Sequence, residues 1–257
     1  MSKNDETFIL QKREDLEATL RSQNAEALSK FFEQPAVYIA EIVTGALAEG
    51  MKGVALSAGR LVQGALKVQL LTQFAREVYY FRERGKIKED FARDKYCFQS
   101  WAELIAVIDS EAPDEDRIKA MKAAFFAINR INASDGEKIG NYQLFRIAKR
   151  LNSGQLLILK AAYELSKSNA FPRGSINTDE WLQRIASHLG HGLVALIEHE
   201  DKQLVDYYLL ARRSADVPGS NTNGTNARLT DLGLKLCQII ESYEEAKIEM
   251  PVEPTSS

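Results

Sequence analysis

The segment AVYIAEIVTGALAEGMKGVALSAGRLVQGALKVQLLTQFAREVYYFRER, residues 36–84, carries a seven-residue apolar repeat along its length. Sustained apolar heptads are typical of a helix packed lengthwise on another helix, so we predict one long amphipathic helix or a tightly broken pair here. The first apolar line consists of Ala40, Leu47, Val54, Leu61, Val68 and Ala75. The second line, three residues further on, consists of Val43, Gly50, Ser57, Gly64, Leu71 and Val78.

Small residues occupy the middle of the second line, at Gly50, Ser57 and Gly64. Each glycine inside a helix costs about 1 kcal/mol relative to alanine, and close approach of a second backbone would offset that loss. We therefore predict a helix-packing interface with another protein or a second copy of the chain, and we expect a homo-oligomer. The predicted interface residues are Leu47, Gly50, Val54, Ser57, Leu61, Gly64, Val68 and Leu71.

The composition is that of an ordinary globular chain, with 257 residues of which 45% are hydrophobic and 27% charged. Fifteen glycines and six prolines are few for an all-β protein, and the long periodic segments predict a mainly α fold. A net charge of −3 argues against a general nucleic-acid coat but is compatible with a local basic patch. Cys97 and Cys237 lie in apolar helical patterns and are predicted to be buried free thiols.

The N-terminal segment MSKNDETFILQKRED lacks the basic start and apolar core of a secretory signal, so we expect a cytoplasmic protein. No window reaches the roughly 18 uncharged apolar residues of a membrane span. The glycine- and alanine-rich segment GVALSAGRLVQGAL, residues 53–66, leaves open an effector that acts on membranes. Because Lys52, Arg60 and Lys67 interrupt this part of the helix, we favour a soluble helix interface.

Residues 1–140 are predicted to form a helical domain around the long helix. Its other predicted elements are a charged amphipathic helix over 5–33, a helix over 88–109, a helix from Pro113 to about Asn132 and a loop over 133–140. The long helix is predicted to end near Gly85, where basic residues of the last turn suit the helix dipole. We interpret Arg82, Arg84 and Lys86 as a solvated helix end, because carboxylates surround them at Glu77, Glu83, Glu89 and Asp90.

Residues 141–245 are predicted to form a second domain, followed by a disordered tail over 246–257. Its first part is predicted to be helical, with a short helix over 144–148, a helix opened by Asn152-Ser153-Gly154, a helix capped by Thr178 and a third helix up to Leu204. A hairpin is predicted to follow, with a strand over 204–210, a polar loop over 214–226 and a returning strand over 227–230. The last predicted element is a helix from Asp231. This order resembles a winged-helix module. The run RLTDLG, residues 228–233, is similar to the LTxLG ending of that fold, in which threonine caps the last helix.

A winged helix that binds DNA places its third helix in the major groove and its wing on phosphates. The possible contacts on the wing are Arg212, Arg213 and Arg228. On the third helix, Glu198, Glu200 and Asp201 would repel phosphate. We therefore favour a winged helix that contacts protein, and the alternative is a DNA-binding regulator that dimerises through the long helix.

The layout of the chain also resembles the abortive-infection alpha family of bacterial proteins. The resemblance lies in the helical front, the helix SGQLLILKAAYEL over residues 153–165 and the terminal helix that begins with LTDLG. It implies a part in defence against phage and brings no catalytic residues with it.

The one metal-like group in the sequence consists of His188, His191 and His199 with Glu198 and Glu200. Glycines at 190 and 192 predict a turn that would misdirect the histidines, whereas a catalytic zinc commonly needs three well-oriented protein ligands. The sequence also lacks a GxSxG elbow, a Walker-type phosphate loop and a GxGxxG run after a strand. We predict no catalytic residue, metal or cofactor, and a non-enzymatic structural or adaptor subunit that acts through protein–protein contacts.

Overall fold

The computed structural model describes residues 58–88, 94–110, 114–168, 178–190, 194–212 and 228–250. Within these ranges the chain is mainly helical, as predicted. The helices are α1 (Ala58–Glu83), α2 (Lys95–Ser110), α3 (Glu115–Ile128), α4 (Asp135–Ala148), α5 (Ser153–Lys167), α6 (Thr178–Leu189), α7 (Val194–Asp206) and α8 (Asp231–Ile248). The predicted helix over 5–33, the first part of the 36–84 helix and the end of the predicted tail lie outside the described residues.

The chain divides into two compact units. The described residues of unit 1 are 58–88, 94–110 and 129–132, and unit 2 contains 114–128 and the described residues from 133 onward. This division differs from the predicted boundary at residue 140. The difference arises because α3 packs against α4, α5 and α8, so that it belongs with the C-terminal helices.

In unit 1, α1 and α2 pack against each other. Their buried apolar residues are Leu70, Leu71, Phe74, Ala75, Val78, Phe81, Cys97, Leu104, Val107 and Ile108. The predicted glycine end of α1 is confirmed, because Gly85 N–H donates to the Arg82 carbonyl and Lys86 N–H to the Phe81 carbonyl, both at 2.8 Å. Gly85 has a φ of +62°, which glycine adopts without the steric penalty of a side chain.

The helix predicted over 88–109 begins later than expected, at Lys95. Asp94 provides the start, since its Oδ1 atom accepts hydrogen bonds from the backbone N–H groups of Tyr96 at 2.9 Å and Cys97 at 3.3 Å. Side chains of this kind satisfy the N–H groups that the first helical turn leaves without a partner.

Two helices of unit 2 begin at capping boxes. Asn152 and Gln155 exchange hydrogen bonds at the start of α5, at 2.8 and 3.1 Å, which confirms the predicted helix start. Ser134 and Glu137 do the same at the start of α4, at 3.3 and 2.9 Å. The predicted loop over 133–140 is therefore wrong, because this Ser-x-x-Glu box starts a helix at Asp135.

The strand predicted over 204–210 is wrong, because α7 continues through Asp206 and residues 207–209 form a turn after it. Leu204 is buried with Ile197 and Asp201, so the apolar run begins on the inner face of a helix. An isolated antiparallel bridge joins Leu210 to Leu229 where the hairpin was expected. The described ranges contain no strand or sheet, and residues 213–227 lie outside them.

Unit 2 is organised by two sets of helix contacts. Each of α5, α6 and α7 packs against the other two, and α8 packs against α3 and α5. The start of α8 confirms the predicted threonine cap, since Thr230 Oγ1 accepts a hydrogen bond from Gly233 N–H at 3.0 Å. None of the helices in the part of the chain that the structure describes has the length and apolarity to cross a membrane.

Candidate interaction surfaces

The predicted packing interface falls partly on described side chains. Leu71 is buried, with 8% of its surface exposed, and the next members of the two heptad lines, Ala75 and Val78, are fully buried. Leu61, Gly64 and Val68 lie within the continuous α1 helix, but their side chains are outside the description. The remaining predicted residues lie outside the described ranges, namely Leu47, Gly50, Val54 and Ser57. The heptad lines thus coincide with the packed face of α1 from Leu71 to Val78.

The three arginines of the expected wing have different surroundings. Arg212 is exposed, and Arg213 lies outside the described residues. Arg228 was expected as a surface contact, but its side chain is buried and 8% exposed, beside an Asp201 side chain that is 5% exposed.

Several groups of unit 2 hold the guanidinium of Arg228. Its Nη1 atom donates to Asp201 Oδ1 at 2.9 Å, while Nε and Nη2 donate to the Ala211 carbonyl at 3.0 and 2.6 Å. Its Cζ atom lies 4.6 Å from the ring centroid of Trp181. A buried cation is tolerated when it is paired and its donors are satisfied. Arg228 therefore ties α6 and α7 to the segment before α8, which removes it from the set of expected phosphate contacts.

The carboxylates of α7 also differ from expectation, because two of the three are buried. Glu198 is exposed, whereas Glu200 and Asp201 face the interior of unit 2. Asp201 pairs with Arg228, and Glu200 Oε2 accepts a hydrogen bond from Gln155 Nε2 at 2.8 Å. The exposed face of α7 is therefore less acidic than a count of its residues suggests.

Two carboxylates from other parts of the chain lie at the N terminus of α5. Asn152 Nδ2 donates to Glu200 at 3.3 Å. Asp114, which precedes α3, accepts from the Ser153 hydroxyl at 2.6 Å and from Ser153 N–H at 3.1 Å. Partial burial raises the pKa of Asp114, but hydrogen bonds from Ser153 and Arg117 outweigh it, so that the pKa lies below its ordinary value. The helix N terminus favours both negative charges, and this junction joins α3, α5 and α7.

The histidines do not come together as metal ligands. His188 Nε2 lies 2.8 Å from Glu164 Oε2, which links α6 to α5. His199 is exposed on α7, and His191 lies outside the described residues. Among the residues that the structure describes, no group of histidine, cysteine or acidic side chains could hold a metal ion.

Unit 2 contains a cleft of about 270 Å³ between α3, α5 and α8. Its apolar lining includes Leu156, Leu159, Cys237 and Ile240, and Leu157 is 45% exposed in its wall. Ion pairs and a phenol hydrogen bond connect the three helices around the cleft. These contacts are Lys119 Nζ to Glu244 Oε1 at 3.0 Å, Tyr163 Oη to Glu241 Oε2 at 2.7 Å and Lys167 Nζ to Glu241 Oε1 at 2.5 Å.

The ionisable groups of the cleft keep the protonation states that favour these contacts. Hydrogen bonds from Lys167 and Tyr163 lower the pKa of Glu241 below its ordinary value. Burial and the hydrogen bond to Glu241 raise the pKa of Tyr163, so the phenol remains a donor. The carboxylate and the phenol therefore stabilise the packing of α8 against α5.

Both cysteines are buried and free, as predicted. Burial, with a smaller effect of Glu241, raises the pKa of Cys237 to about 12. Burial and the charge of Asp94 raise the pKa of Cys97 well above its ordinary value. Because the thiolate is the nucleophilic form of cysteine, both side chains are in their unreactive state at neutral pH.

No short sequence motif marks the contacts that join the helices of unit 2. Asp114 and Ser153 are 39 positions apart in the sequence, and Tyr163 and Glu241 are 78 positions apart, so a short motif cannot predict either pair. The Ser134–Glu137 capping box does have a local signal, its Ser-x-x-Glu spacing.

Comparisons of the chain with protein-family models, with curated proteins and with solved structures find no match.

Proposed function

We propose that this protein is a non-enzymatic structural or adaptor subunit that self-associates through the helix over residues 36–84. The observation that carries the proposal is that the two heptad lines mark a packing face, because Leu71, Ala75 and Val78 on these lines are buried within the chain itself. Where these lines can be followed in unit 1, they coincide with a packed face. The second line continues towards the N terminus through Gly64 and Ser57, and side chains of this size allow two helix axes to approach closely.

The contacts around the cleft of unit 2 support a function of the same kind. Lys119 and Lys167 form ion pairs that connect helices, and Tyr163 hydrogen-bonds to Glu241. These groups stabilise helix packing, and the adjacent thiol of Cys237 is protonated. We expect a scaffold or adaptor to be a stable helical body whose ionisable groups form contacts between its helices.

The substitution Gly64→Leu tests self-association. Leucine raises helix propensity but would block a close backbone contact, so we expect the oligomer to be replaced by a folded monomer in light scattering coupled to size exclusion. Gln69→Leu is the matched control, because Gln69 is exposed on the same helix. A wild-type chain that is monomeric, or a Gly64→Leu chain of unchanged mass, contradicts the proposal. In the latter case, a lower melting temperature would assign Gly64 to packing inside its own chain.

A second candidate is a DNA-binding regulator with a winged-helix domain over about 141–245. The mutual packing of α5, α6 and α7, followed by the bridge between Leu210 and Leu229, favours it. The burial of Glu200 and Asp201 also favours it, because it leaves fewer carboxylates on the exposed face of α7.

Gel shifts with duplex DNA at two salt concentrations test this candidate, since phosphate contacts make binding salt-dependent. We expect Arg212→Ala with Arg213→Ala to weaken the shift and Arg146→Ala with Arg150→Ala, at exposed positions, to leave it intact. Arg228 is not part of this test, because its removal would leave the Asp201 carboxylate buried without a cation. Absence of a shift at low salt removes the candidate.

The resemblance to the abortive-infection alpha family adds a role in defence against phage to the first proposal. Plating of a phage panel on cells that produce the wild-type or the Gly64→Leu chain tests it. Protection that disappears together with the oligomer supports the role, whereas equal plating with and without the wild-type chain contradicts it.

A further inference from the structure

The cleft of unit 2 has an apolar floor and a charged rim. Leu156, Leu159, Tyr163 and Cys237 are buried at its floor, each with 8% or less of its surface exposed. The charged lining residues are half-buried or exposed, namely Asp116, Lys119, Lys160, Glu164, Glu241 and Glu244. A site of this form covers an apolar group at its floor and orients a charged group at its rim.

The size of the cleft indicates what it can hold. Its volume of about 270 Å³ is close to the lower end of the range for small-molecule pockets, about 300 Å³. Its walls come from α3, α5 and α8, each of which packs against the other two. An α-helix with its side chains is about 10 Å across, so the cleft is too small for a helical peptide. The size therefore favours a small molecule.

Two of the four carboxylates on the rim have a lysine of their own. Lys167 Nζ lies 2.5 Å from Glu241 Oε1, and Lys160 Nζ lies 3.9 Å from Glu164 Oε1. His188 also contacts Glu164, from α6, at 2.8 Å. Among its described residues, the α5 side of the cleft therefore has no excess of negative charge.

The other two carboxylates share one lysine at the α3–α8 side of the cleft. Lys119 Nζ lies 3.0 Å from Glu244 Oε1 and 3.3 Å from Asp116 Oδ1. Partial burial lowers the pKa of Lys119, but hydrogen bonds to Glu244 and Asp116 and their charges outweigh it, so that the pKa lies above its ordinary value. In the part of the rim that the structure describes, this side thus has one carboxylate more than it has ammonium groups.

The dipole of α3 accounts for a carboxylate at Asp116, which lies in the first turn of that helix. It does not account for Glu244, which faces the same lysine from another helix, or for Leu157, which is 45% exposed in the wall of the cleft. A ligand with an apolar body and a positive charge accounts for all three.

We propose that the cleft of unit 2 binds a small amphiphilic cation, an amine with an aliphatic body. The aliphatic body lies on the apolar floor and against Leu157, and the ammonium group lies beside Asp116 and Glu244, where it supplies the missing positive charge. An amphiphilic anion fits less well, because the lysines of the rim are already paired with carboxylates. The proposal concerns unit 2 and does not rest on self-association through the helix over 36–84.

Titration of the full chain with octylamine, octanol and octanoate tests the charge of the ligand at constant chain length. NMR shifts of the backbone amides give both the affinity and the location of the site. Octylamine should bind roughly 5-fold more tightly than octanol, the upper value for an exposed ion pair, and octanoate should bind most weakly. Hexylamine has two methylene groups fewer and should bind about 15-fold more weakly than octylamine.

Asp116→Asn removes one carboxylate and leaves Lys119 paired with Glu244. Octylamine should then bind no more tightly than octanol, whereas the affinity for octanol should not change. Asp135→Asn is the matched control, because Asp135 also pairs with the lysine three residues ahead of it, at 3.4 Å, and lies outside the cleft lining. The control should leave the affinities for both ligands unchanged.

Leu157→Ala tests the apolar contact. It should weaken octylamine and octanol alike, by at least about 4-fold, the equivalent of one buried methylene group. Leu196→Ala is the matched control, because Leu196 is 44% exposed on α7 and lies outside the cleft lining. Leu157→Ala also serves if Asp116→Asn does not fold, which circular dichroism would show.

Several results would overturn the proposal. They are absence of saturable octylamine binding, shifts centred outside α3, α5 and α8, octanol or octanoate binding as tightly as octylamine, and equal effects of the variants and their controls. A chain that fails to self-associate but binds octylamine in the cleft would contradict the proposed oligomer and leave this site intact.

Discussion

The carbonyl oxygen of Leu209 occupies the space that a side chain on Gly233 would fill. Gly233 lies in the first turn of α8, and the Leu209 backbone also accepts a hydrogen bond from Thr230 N–H at 3.1 Å. The glycine of the LTDLG run is thus required by close approach of two backbone segments.

Gly233→Ala should lower the free energy of unfolding by about 1–3 kcal/mol, as overpacked sites do, although alanine has the higher helix propensity. Chemical denaturation measures this change. Gly140→Ala is the matched control, because a Cβ atom there would contact only Lys235 Nζ, at 3.8 Å. The control should be neutral or stabilise by up to about 1 kcal/mol. A stable Gly233→Ala protein would mean that the α8 start can move away from Leu209.

The buried pair of Arg228 and Asp201 should contribute far more to stability than the exposed pairs. Asp201→Asn leaves the guanidinium buried without its counter-charge, so we expect a loss of about 3–5 kcal/mol or failure to fold. Glu180→Gln breaks the exposed pair with Arg184 and should change stability by less than about 1 kcal/mol. Urea titration of both variants, followed by the fluorescence of Trp181 and Trp101, measures the difference. Equal effects of the two changes would contradict a structural role for Arg228.

Asp114 should make unit 2 sensitive to acid. Because the folded state lowers the pKa of Asp114 below its ordinary value of 3.8, the carboxylate adds stability above that value, and this stability is lost as pH falls through the folded pKa. Asp114→Asn should therefore destabilise the protein at pH 7, and the difference from wild type should shrink as pH falls through the folded pKa of Asp114. Unfolding curves at several pH values measure this difference. A difference that does not vary with pH would assign the effect to packing rather than charge.

Tyr208 has a left-handed backbone with a φ of +58° at the end of α7, where glycine is usual, and its side chain is 76% exposed. Leu209 N–H donates to the Leu204 carbonyl at 2.9 Å and Tyr208 N–H to the Val205 carbonyl at 2.9 Å, which completes a Schellman ending. Tyr208→Gly should relieve the steric cost and raise the free energy of unfolding by up to about 1 kcal/mol.

The control for this change is Tyr207→Gly, at the neighbouring half-exposed position without a positive φ. It should destabilise the protein, because glycine adds entropy to the unfolded chain without relief of strain. Thermal and chemical unfolding of both variants give the sign of each change. A loss of stability in Tyr208→Gly would show that the exposed ring contributes to packing.

Short-range patterns in the sequence determined most of the helices in the part of the chain that the structure describes, and several of their ends. Asn152, Thr230 and Gly85 were all identified as helix boundaries, because a capping side chain or a left-handed glycine acts within about four residues. The missed start of α4 had the same kind of signal in Ser134 and Glu137. The glycines at 136 and 140 obscured it, since glycine is also typical of loops.

Only the tertiary structure decided which charged residues face solvent. Arg228 and Glu77 are ordinary surface residues by type, yet both are buried. Arg228 is stabilised there by Asp201 of α7 and Trp181 of α6. In the same way, Arg130 lies opposite Ile87 because two distant backbone segments form a bridge. Helix starts and ends depend on hydrogen bonds between residues close in sequence, whereas burial and charge clusters depend on partners that folding brings together from far apart.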